Sequence, residues 1–378
     1  MNDSVFVRHA NPCVSDVRAY VPGPTAGMIS ARHGIPVERI VKLSSNEAPL
    51  GPSPRAREAL RAIAGGDDLH RYPAPYPTPL IEAMARAFGV APRQVLPAGG
   101  SSETWSLIVR AFSAPGDEVL AFEPSMTSYA EVAVMAERRA RVIDMAPPFS
   151  LSAADVLAAV RSETRVVFVC SPNNTTSRML EPGEIAAIAH GAPGAVIAVD
   201  EHYIEAADDY RRRTALTLLG AVPNLIVTRS LSKMYGLAGL RVGAAVGPEA
   251  AVGFLRHFRS KWSVSLAAAA AGTAALLDEE HLADNVAMTR AGRTALVRAL
   301  GRLHGVELVP EAQGGFLLFR PLTRPSLDVV EELGRSGVMV RGDLLDGYIR
   351  VSVGTPEQNQ AFLDALEAGL RVPAAVLR

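Results

Sequence analysis

A lysine in a loop of small polar residues is the first feature of the sequence that could do chemistry. Lys233 lies in the segment TRSLSKMYGLAGLRVG at residues 228–243. A side-chain amine attacks the aldehyde of a carbonyl cofactor once it has lost its charge. Nearby, Ser230, Ser232 and Arg241 offer hydroxyl groups and a guanidinium to a phosphate. The segment predicts a covalent site for an anionic carbonyl cofactor, although such a loop is also typical of solvated structure.

A carboxylate at position 200 follows an apolar strand. The run Val196–Val199 leads directly into Asp200, and Glu, His and Tyr203 come next. Ligands of open α/β folds bind at the carboxyl ends of parallel strands. A carboxylate there can hold a ring nitrogen in its protonated, electron-withdrawing form. A helix cap or a solvated strand end is the other interpretation of this aspartate.

Two turns could complete such a site. The turn SPNNTTS at residues 171–177 follows a predicted strand, and Asn174 offers its side-chain amide to a phenolic oxygen. The turn AGGSSE precedes a predicted helix, so the amides of Gly100, Ser101 and Ser102 could bind a phosphate at the helix N-terminus. Turn formation alone also explains the asparagine, proline and glycine residues.

Arg350 lies inside a predicted strand among apolar neighbours. A buried guanidinium is costly unless a carboxylate pairs with it. That carboxylate belongs either to a substrate or to one of the acidic residues of the protein, and the sequence leaves both possibilities open.

The composition argues against several classes of partner. The 378 residues contain 38 Lys and Arg against 39 Asp and Glu, and a net charge of −1 gives no reason to expect nucleic acid or a membrane surface. Cys13 and Cys170 lack metal-ligand spacing, so we expect no metal site, no disulfide framework and a cytoplasmic protein. The N-terminus has no signal-peptide core, and the apolar run Leu266–Leu277 is shorter than the ~20 residues of a membrane span. A small molecule is therefore the class of partner that the composition favours.

Alternating strands and helices must position these residues. The strands predicted for a first, parallel sheet are Glu118–Phe122, Arg141–Asp144, Val166–Cys170, Ala195–Val199, Leu225–Arg229 and Val242–Val246. The helices predicted beside them are Pro54–Ile63, Ser102–Ala111, Ser152–Val160, Pro182–Ala189 and Pro248–Arg259. After a buried helix at Leu266–Leu277 and a long helix at Ala283–Leu303, the predicted strands are Gly305–Val309, Phe316–Phe319, Val338–Arg341 and Tyr348–Val353. This order predicts a βαβ domain followed by an α+β lobe, with an N-terminal arm that holds one helix at Thr25–His33.

In this order the motifs resemble those of fold-type-I aminotransferases that use pyridoxal 5′-phosphate (PLP), and most closely the histidinol-phosphate aminotransferase family. The most specific match is SLSKxxGLAGLRxG at residues 230–243, and Tyr20-Val-Pro-Gly23 and Arg71-Tyr-Pro73 also match. The resemblance implies an α/β fold, with a large domain that holds a mainly parallel seven-stranded sheet between helices and a smaller α+β domain. Residues 1–45 would form the arm and part of the small domain, 46–255 the large domain and 256–378 the rest of the small domain.

The resemblance also implies a role for each candidate residue. Lys233 would form a Schiff base with PLP and move the protons, while Asp200 would bind the ring nitrogen. The phenolic oxygen would be bound by Tyr203 and Asn174, and Tyr129 would stack on the ring. The phosphate ligands would be Ser101, Ser102, Ser230, Ser232, Arg241 and, in a homodimer with shared active sites, Tyr72 of the partner subunit. The substrate would meet Arg350, Arg341, Asn46 and His202.

Three departures from the family pattern affect the rim of the site. The usual NPNNPTG reads SPNNTTS at residues 171–177, DEAY reads DEHY at residues 200–203, and NENP reads NEAP at residues 46–49. His202 could act as a base or a substrate contact, since histidine titrates near neutrality. It could equally point away and bind a neighbouring carbonyl.

The expected activity is transfer of an amino group between an L-amino acid or amino-alcohol phosphate and a 2-oxo acid. Histidinol phosphate with 2-oxoglutarate is the first pair to test. The altered rim keeps open a PLP enzyme of diverted specificity, such as an aromatic or specialised-metabolite aminotransferase, a cyclase or a decarboxylase. A PLP-binding regulator is a further alternative, but the first forty residues are too rich in proline and too weakly basic for a DNA-binding domain.

Overall fold

The computed structural model describes residues 4–17 and 23–371, so Tyr20, Val21 and Pro22 of the first family motif lie outside the described residues. The helices are α1 (Val5–His9), α2 (Ala26–His33), α3 (Pro54–Gly65), α4 (Thr78–Phe88), α5 (Ser101–Phe112), α6 (Ser128–Met135), α7 (Ala153–Ala159), α8 (Pro182–Gly191), α9 (Tyr210–Arg213), α10 (Glu249–Phe258), α11 (Leu266–Leu276), α12 (Glu279–Leu300), α13 (Ser326–Arg335) and α14 (Pro356–Arg371). None of the helices in this part of the chain combines the length and apolarity needed to cross a bilayer.

The strands form a large sheet, a small sheet and a separate pair. They are β1 (Val41–Lys42), β2 (Val95–Ala98), β3 (Glu118–Glu123), β4 (Arg139–Asp144), β5 (Thr164–Cys170), β6 (Val196–Asp200), β7 (Leu225–Ser230), β8 (Gly243–Val246), β9 (Val306–Leu308), β10 (Phe316–Pro321), β11 (Val338–Met339) and β12 (Ile349–Ser352). Each predicted strand is present, with ends shifted by no more than two residues.

The large sheet has seven strands in the order β2-β8-β7-β6-β5-β3-β4. All neighbours run parallel except β8, which is antiparallel to both β2 and β7. β7 and all of β6 except its first residue, Val196, are buried, because helices cover both faces of a parallel sheet. The expected mainly parallel seven-stranded sheet is confirmed.

Strand β2 was not among the predicted strands. It is short and contains Pro97, which gives no backbone N–H to a ladder and weakens the strand pattern. The structure places β2 at one edge of the sheet, where proline is tolerated. The first turn of α4 also contains a proline, Pro79, which is well accommodated at the start of a helix.

The register of the central strands brings the candidate residues together. Cys170 at the end of β5 pairs with Asp200 at the end of β6, and Asp200 pairs with Thr228 on β7. Lys233 follows β7 by three residues. Since parallel strands share their carboxyl edge, the side chains that follow these strands converge on one end of the sheet.

The second lobe contains the antiparallel sheet β12-β10-β9. Strand β1 pairs in parallel with β11, so Val41 and Lys42 are hydrogen-bonded to this lobe. Its core includes Leu43, Phe319 and Phe362, which are almost completely buried. The exact domain boundaries at residues 45 and 255 stay a prediction.

Candidate active site

Lys233 lies at the carboxyl edge of the large sheet with its amine turned inward. Its Nζ donates a hydrogen bond to the carbonyl of Ser45 at 3.0 Å. Burial, followed by the positive charge of Arg350, lowers the pKa of Lys233 to about 8. The uncharged fraction of the amine near neutrality is therefore larger than that of an ordinary lysine, as a nucleophile that attacks an aldehyde requires.

Asp200 is completely buried and held by two hydroxyl groups. Tyr129 donates to its Oδ2 at 2.7 Å, and Thr228 donates to its Oδ1 at 2.6 Å. Of the described residues, no lysine or arginine lies within salt-bridge distance of this carboxylate. The solvated strand end considered from the sequence is thus wrong, because the carboxylate is buried and oriented by neutral donors.

Tyr129 is buried, and its ring contacts other aromatic side chains. One face of its ring stacks on Phe168, with centroids 4.6 Å apart and planes 7° apart, and Trp105 packs edge-on at 5.0 Å. Burial, with Asp200 next, raises the pKa of the Tyr129 hydroxyl well above its ordinary value, so the group stays a donor. Tyr129 therefore donates a hydrogen bond to Asp200, and its stacking on the cofactor stays a prediction.

Tyr203 and Asn46 join the two lobes. The Nδ2 of Asn46 donates to the Tyr203 hydroxyl at 3.2 Å, while Ser352 on β12 donates to Oδ1 of Asn46 at 2.9 Å. Burial raises the pKa of Tyr203 to about 12. The Nζ of Lys233 lies 5.4 Å from the centre of the Tyr203 ring. Both side-chain atoms of Asn46 are therefore engaged by the protein, which makes its role as a direct substrate ligand a proposal only.

The loop at residues 171–177 shows how the departures from the family pattern are accommodated. Ser177 adopts a left-handed backbone (φ 64°) where the family pattern has glycine. Its hydroxyl accepts a hydrogen bond from the amide of Gly314 at 2.7 Å, and this contact fixes the loop against the second lobe. Asn174, the expected cofactor ligand, places its Nδ2 2.7 Å from the sulfur of Met126. Met126 was not singled out from the sequence.

The start of α5 and Arg241 form a cradle suited to a phosphate. Gly100 precedes α5 with φ 91°, and no side chain caps the first amides of the helix. A Cβ at Gly100 would lie 2.5 Å from Nη2 of Arg241, so only glycine lets the guanidinium approach this turn. Arg241 also donates to the hydroxyl of Ser232 at 3.4 Å, and the amide of Ser232 donates to the hydroxyl of Ser230 at 3.1 Å.

Of the two serines in this turn, Ser101 is buried and Ser102 is exposed. The helix dipole, the free amides and the guanidinium together favour an anion there. Gly100, Arg241, Ser232 and Ser230 are thus neighbours, and the binding of a phosphate by Ser101 and Ser102 stays a prediction.

Arg350 is buried and has no carboxylate partner in the described part of the chain. It donates to the carbonyl of Asn174 at 2.8 Å and to that of Ser44 at 3.0 Å, while its Nε has no partner there. Burial, with Arg341 nearby, lowers the pKa of Arg350 to about 10. The structural ion pair considered from the sequence is therefore absent from this region.

Arg341 is placed beside Arg350 but is already paired. The backbones of the two residues form a β-bridge, and the guanidinium of Arg341 makes a two-pronged contact with Asp343 at 2.6 and 2.9 Å. Arg341 lies beyond the end of β11, so the predicted strand Val338–Arg341 is two residues too long. Its charge is largely compensated before any substrate binds.

Among the described residues, the ring of Tyr72 contacts Trp262 rather than the groups of the site. Its side chain is 79% exposed, and its ring stacks on Trp262 with centroids 4.4 Å apart. An exposed aromatic pair on a loop is suited to an interface with a second subunit. The contact of Tyr72 with the phosphate of a partner stays a prediction.

Comparison with known proteins identifies the family. The family profile "Aminotransferase class I and II" matches residues 38–366. Histidinol-phosphate aminotransferase 1 of Dechloromonas aromatica is 35% identical over 96% of this chain and 99% of its own length. Histidinol-phosphate aminotransferase 2 of Methylococcus capsulatus is 38% identical over 95% of this chain and 97% of its own length. The chain belongs to the class I and II aminotransferases.

Solved structures agree with this assignment at the level of the fold. A histidinol-phosphate aminotransferase from Sinorhizobium meliloti, solved in complex with PLP, superimposes with a TM-score of 0.84 at 23% identity and covers 96% of this chain and 98% of that one. The protein is therefore a PLP-dependent aminotransferase of fold type I. The amine of Lys233, the buried carboxylate of Asp200 and the cradle at Arg241 fit the aldehyde, ring nitrogen and phosphate of this cofactor.

Several residues of the site were missed by reasoning from the sequence. Thr228, Ser45 and Ser352 bind Asp200, Lys233 and Asn46 through ordinary hydroxyl and carbonyl groups. Only Thr228 had a readable signal, because it lies in the strand that follows Asp200 and in front of Lys233. The other two contacts join segments that are far apart in the chain.

Proposed function

We propose that the protein transfers an amino group between histidinol phosphate, or a similar L-amino acid or amino-alcohol phosphate, and a 2-oxo acid such as 2-oxoglutarate. The observation that carries this proposal is the buried guanidinium of Arg350, which has no carboxylate partner among the described residues and lies near Lys233. A buried cation without a partner costs stability unless an anionic ligand completes it. The carboxylate of a 2-oxo acid and the anionic group of the amino donor are such ligands, and the names of the relatives point to histidinol phosphate.

Each candidate residue of the site has a separate role in the proposed reaction. PLP supplies an aldehyde for the amino group and an electron-withdrawing ring. Lys233 would hold the cofactor through its side-chain amine, and its Nζ, when free, would accept and return a proton, which its lowered pKa allows near neutrality. Asp200 binds the ring nitrogen, and Tyr203 with Asn174 binds the phenolic oxygen. Arg350 orients the substrate so that the proton to be moved faces Lys233.

The assembly and the cellular location form a separate proposal. We propose a homodimer in which Tyr72 of the partner subunit reaches the phosphate at Arg241, because Tyr72 is exposed and lacks a place in its own site. We also propose a cytoplasmic location, which fits two free cysteines and a small-molecule substrate. Measurement of the molecular mass in solution tests the homodimer. The affinity of a Tyr72→Ala variant for PLP tests the shared site. If that variant keeps full affinity for PLP, the shared site is excluded.

A second candidate function is favoured by the pairing of Arg341 with Asp343. A phosphate monoester carries nearly two negative charges near pH 7, whereas the described substrate side offers one compensated and one uncompensated guanidinium. This charge balance suits an amino donor with a single carboxylate, such as an aromatic amino acid. The diverted specificity considered from the sequence is thus the main competitor of histidinol phosphate.

A panel of amino donors distinguishes the two functions. The purified holoenzyme is mixed in turn with histidinol phosphate, aromatic amino acids and basic amino acids, without a 2-oxo acid, and the absorbance of the cofactor reports its conversion to the amine form. Histidinol phosphate should react with the highest kcat/KM. Preferred reaction of an aromatic donor would select the second candidate, and no conversion by any donor would exclude transamination.

The Lys233→Ala variant is the control for the covalent step. It should retain the fold and lose the absorbance of the covalently bound cofactor. An unchanged spectrum would show that another residue carries PLP.

A further inference from the structure

His202 lies against Asp200, on the side away from open solvent. The imidazole is 4% exposed, and its Nδ1 is 2.8 Å from Oδ2 of Asp200. The ring packs on Tyr203 with centroids 4.0 Å apart and lies 6.4 Å from Trp105. The packing of Tyr203 and Trp105 on the buried imidazole gives a substrate no contact with His202. The histidine is therefore positioned to act on the carboxylate.

The short distance requires a proton between the two groups. A carboxylate oxygen only accepts hydrogen bonds, and Nδ1 of a neutral imidazole is either a donor or an acceptor. Two acceptors at 2.8 Å would repel each other in a buried site. The described geometry aligns no partner with Nδ1, so a hydrogen bond to Asp200 requires the ring to turn toward the carboxylate.

The hydrogen bonds of Asp200 then leave room for one more donor. A carboxylate has about four acceptor positions. Tyr129 uses one on Oδ2 and Thr228 uses one on Oδ1, and His202 would use the second position of Oδ2. The remaining position, on Oδ1, is available to the ring nitrogen of the cofactor. Three donors from three different elements would fix the plane of the carboxylate.

The other polar groups around His202 do not compete for this role. The elements packed here present Cys170 on β5, Tyr129 on α6 and Tyr203 after β6. Burial, with the charge of Asp200 next, raises the pKa of the Cys170 thiol above its ordinary value. The thiol of Cys170 therefore stays neutral beside Asp200.

We propose that His202 is a positioning residue, which donates a hydrogen bond from Nδ1 to Asp200 and so holds this carboxylate in line with the ring nitrogen of PLP. This inference rests on the proposed pairing of Asp200 with that nitrogen. It replaces the roles of substrate ligand and general base that the sequence left open for His202. The histidine acts on the cofactor side of the site and has no direct part in recognising the amino donor.

Two substitutions at this position separate a hydrogen-bond donor from a space-filling group. His202→Asn keeps an N–H near the position of Nδ1, whereas His202→Leu keeps most of the volume and has no donor. His190→Leu, on the exposed end of α8, is the matched control for loss of a histidine elsewhere. The dissociation constant of PLP should rise roughly 10- to 100-fold in His202→Leu, the range for losing one hydrogen bond to a charged group, and stay near that of the wild type in His202→Asn and His190→Leu.

Kinetics and NMR provide readouts that a merely structural role would not move. In His202→Leu, kcat should fall while KM for the amino donor stays constant, and His202→Asn should restore kcat. In the holoenzyme, ¹⁵N NMR of labelled histidine should show a proton on Nδ1 of His202, assigned by its loss in His202→Asn. A bare Nδ1 would overturn the proposal. So would unchanged affinity for PLP in His202→Leu, or a change confined to KM.

The tests of His202 do not depend on whether the protein is an aminotransferase for the proposed substrates. If the wild-type protein converts no amino donor, transamination fails, but the affinity for PLP and the protonation of Nδ1 still decide the role of His202.

Discussion

Two buried arginines on strands of this protein have opposite electrostatic surroundings. Arg229 on β7 is 4% exposed and Arg350 on β12 is 5% exposed. Arg229 contacts Glu205 directly and lies 3.6 Å from Glu201. Arg350 donates to two backbone carbonyls and lies 5.4 Å from the centre of the Phe316 ring, but it contacts no carboxylate among the described residues. The two residues are alike in burial and secondary structure and differ in whether the protein supplies a counter-charge.

The pKa values follow this difference. Burial alone would lower the pKa of Arg229, but the charges of Glu205 and Glu201 raise it above its ordinary value. For Arg350, burial lowers the pKa to about 10, and the neighbouring Tyr203 and Asp343 offset this effect only in part. A buried cation with a counter-charge, such as Arg229, contributes to the fold. The buried guanidinium of Arg350 has no counter-charge, and an anionic substrate can relieve the resulting unfavourable energy.

Removal of Arg229 should produce the largest effect on the fold. Arg229→Leu would leave two buried carboxylates without a cation, and breaking a buried pair in this way costs about 3–5 kcal/mol. Urea-induced unfolding measures this loss, while kcat/KM per folded molecule should change much less. The triple variant Arg229→Leu, Glu201→Gln, Glu205→Gln should recover part of the stability. If Arg229→Leu is as stable as the wild type, the paired arginine is not structural.

Removal of Arg350 should act on the substrate instead. Arg350→Leu should lower kcat/KM for the amino donor and the 2-oxo acid by about 100-fold, the effect of losing one buried charge-assisted contact. Its unfolding free energy should stay constant or rise, because an unpaired buried cation is gone. Arg324→Leu is the control, since Arg324 is also a buried arginine of the second lobe and lies outside the site. A fall in stability with unchanged kinetics would reverse the interpretation of Arg350.

The sequence predicts the elements that carry these arginines better than it predicts their partners. Apolar runs that end in polar residues reveal β6 and β7, and therefore Asp200 and the loop of Lys233, because local patterning determines where strands end. The charge partners depend on which segments meet in space. Ser352 and Asn46 are 306 positions apart, and nothing local to either residue indicates their contact.

The same limit explains Tyr129. Its spacing after β3 places it near the site. Its orientation toward Asp200 depends on the stacking of its ring on Phe168 and the edge-on packing of Trp105. Backbone patterns predict the edge of the sheet where chemistry occurs. The orientation of each side chain follows from packing that the pattern does not contain.

The cluster around Arg229 should also make stability depend on pH. One guanidinium faces two buried carboxylates, and burial raises the pKa of Glu201 to about 7. The folded protein keeps this proton to a higher pH than the unfolded chain, so the unfolding free energy should fall by about 2 kcal/mol as pH rises from about 5 to about 8. In Glu201→Gln this part of the slope should disappear, as measured by urea unfolding across that interval. A slope identical to that of the wild type would show that Glu201 ionises normally.

Arg341 offers an intermediate case between the two buried arginines, because it is close to the substrate side yet paired with Asp343. Asp343→Asn removes the counter-charge while the side chain keeps its size. We expect kcat/KM for phosphate-bearing amino donors to rise roughly 10-fold, since the freed guanidinium can bind a phosphate through two hydrogen bonds. Donors with a single carboxylate should change little, because Arg350 already serves them. Asp346→Asn, which removes the same charge from an exposed position of the same loop, is the control. An equal gain for all donors would mean that Asp343 sets only the general potential of the site, and that pairing of Arg341 does not select the substrate.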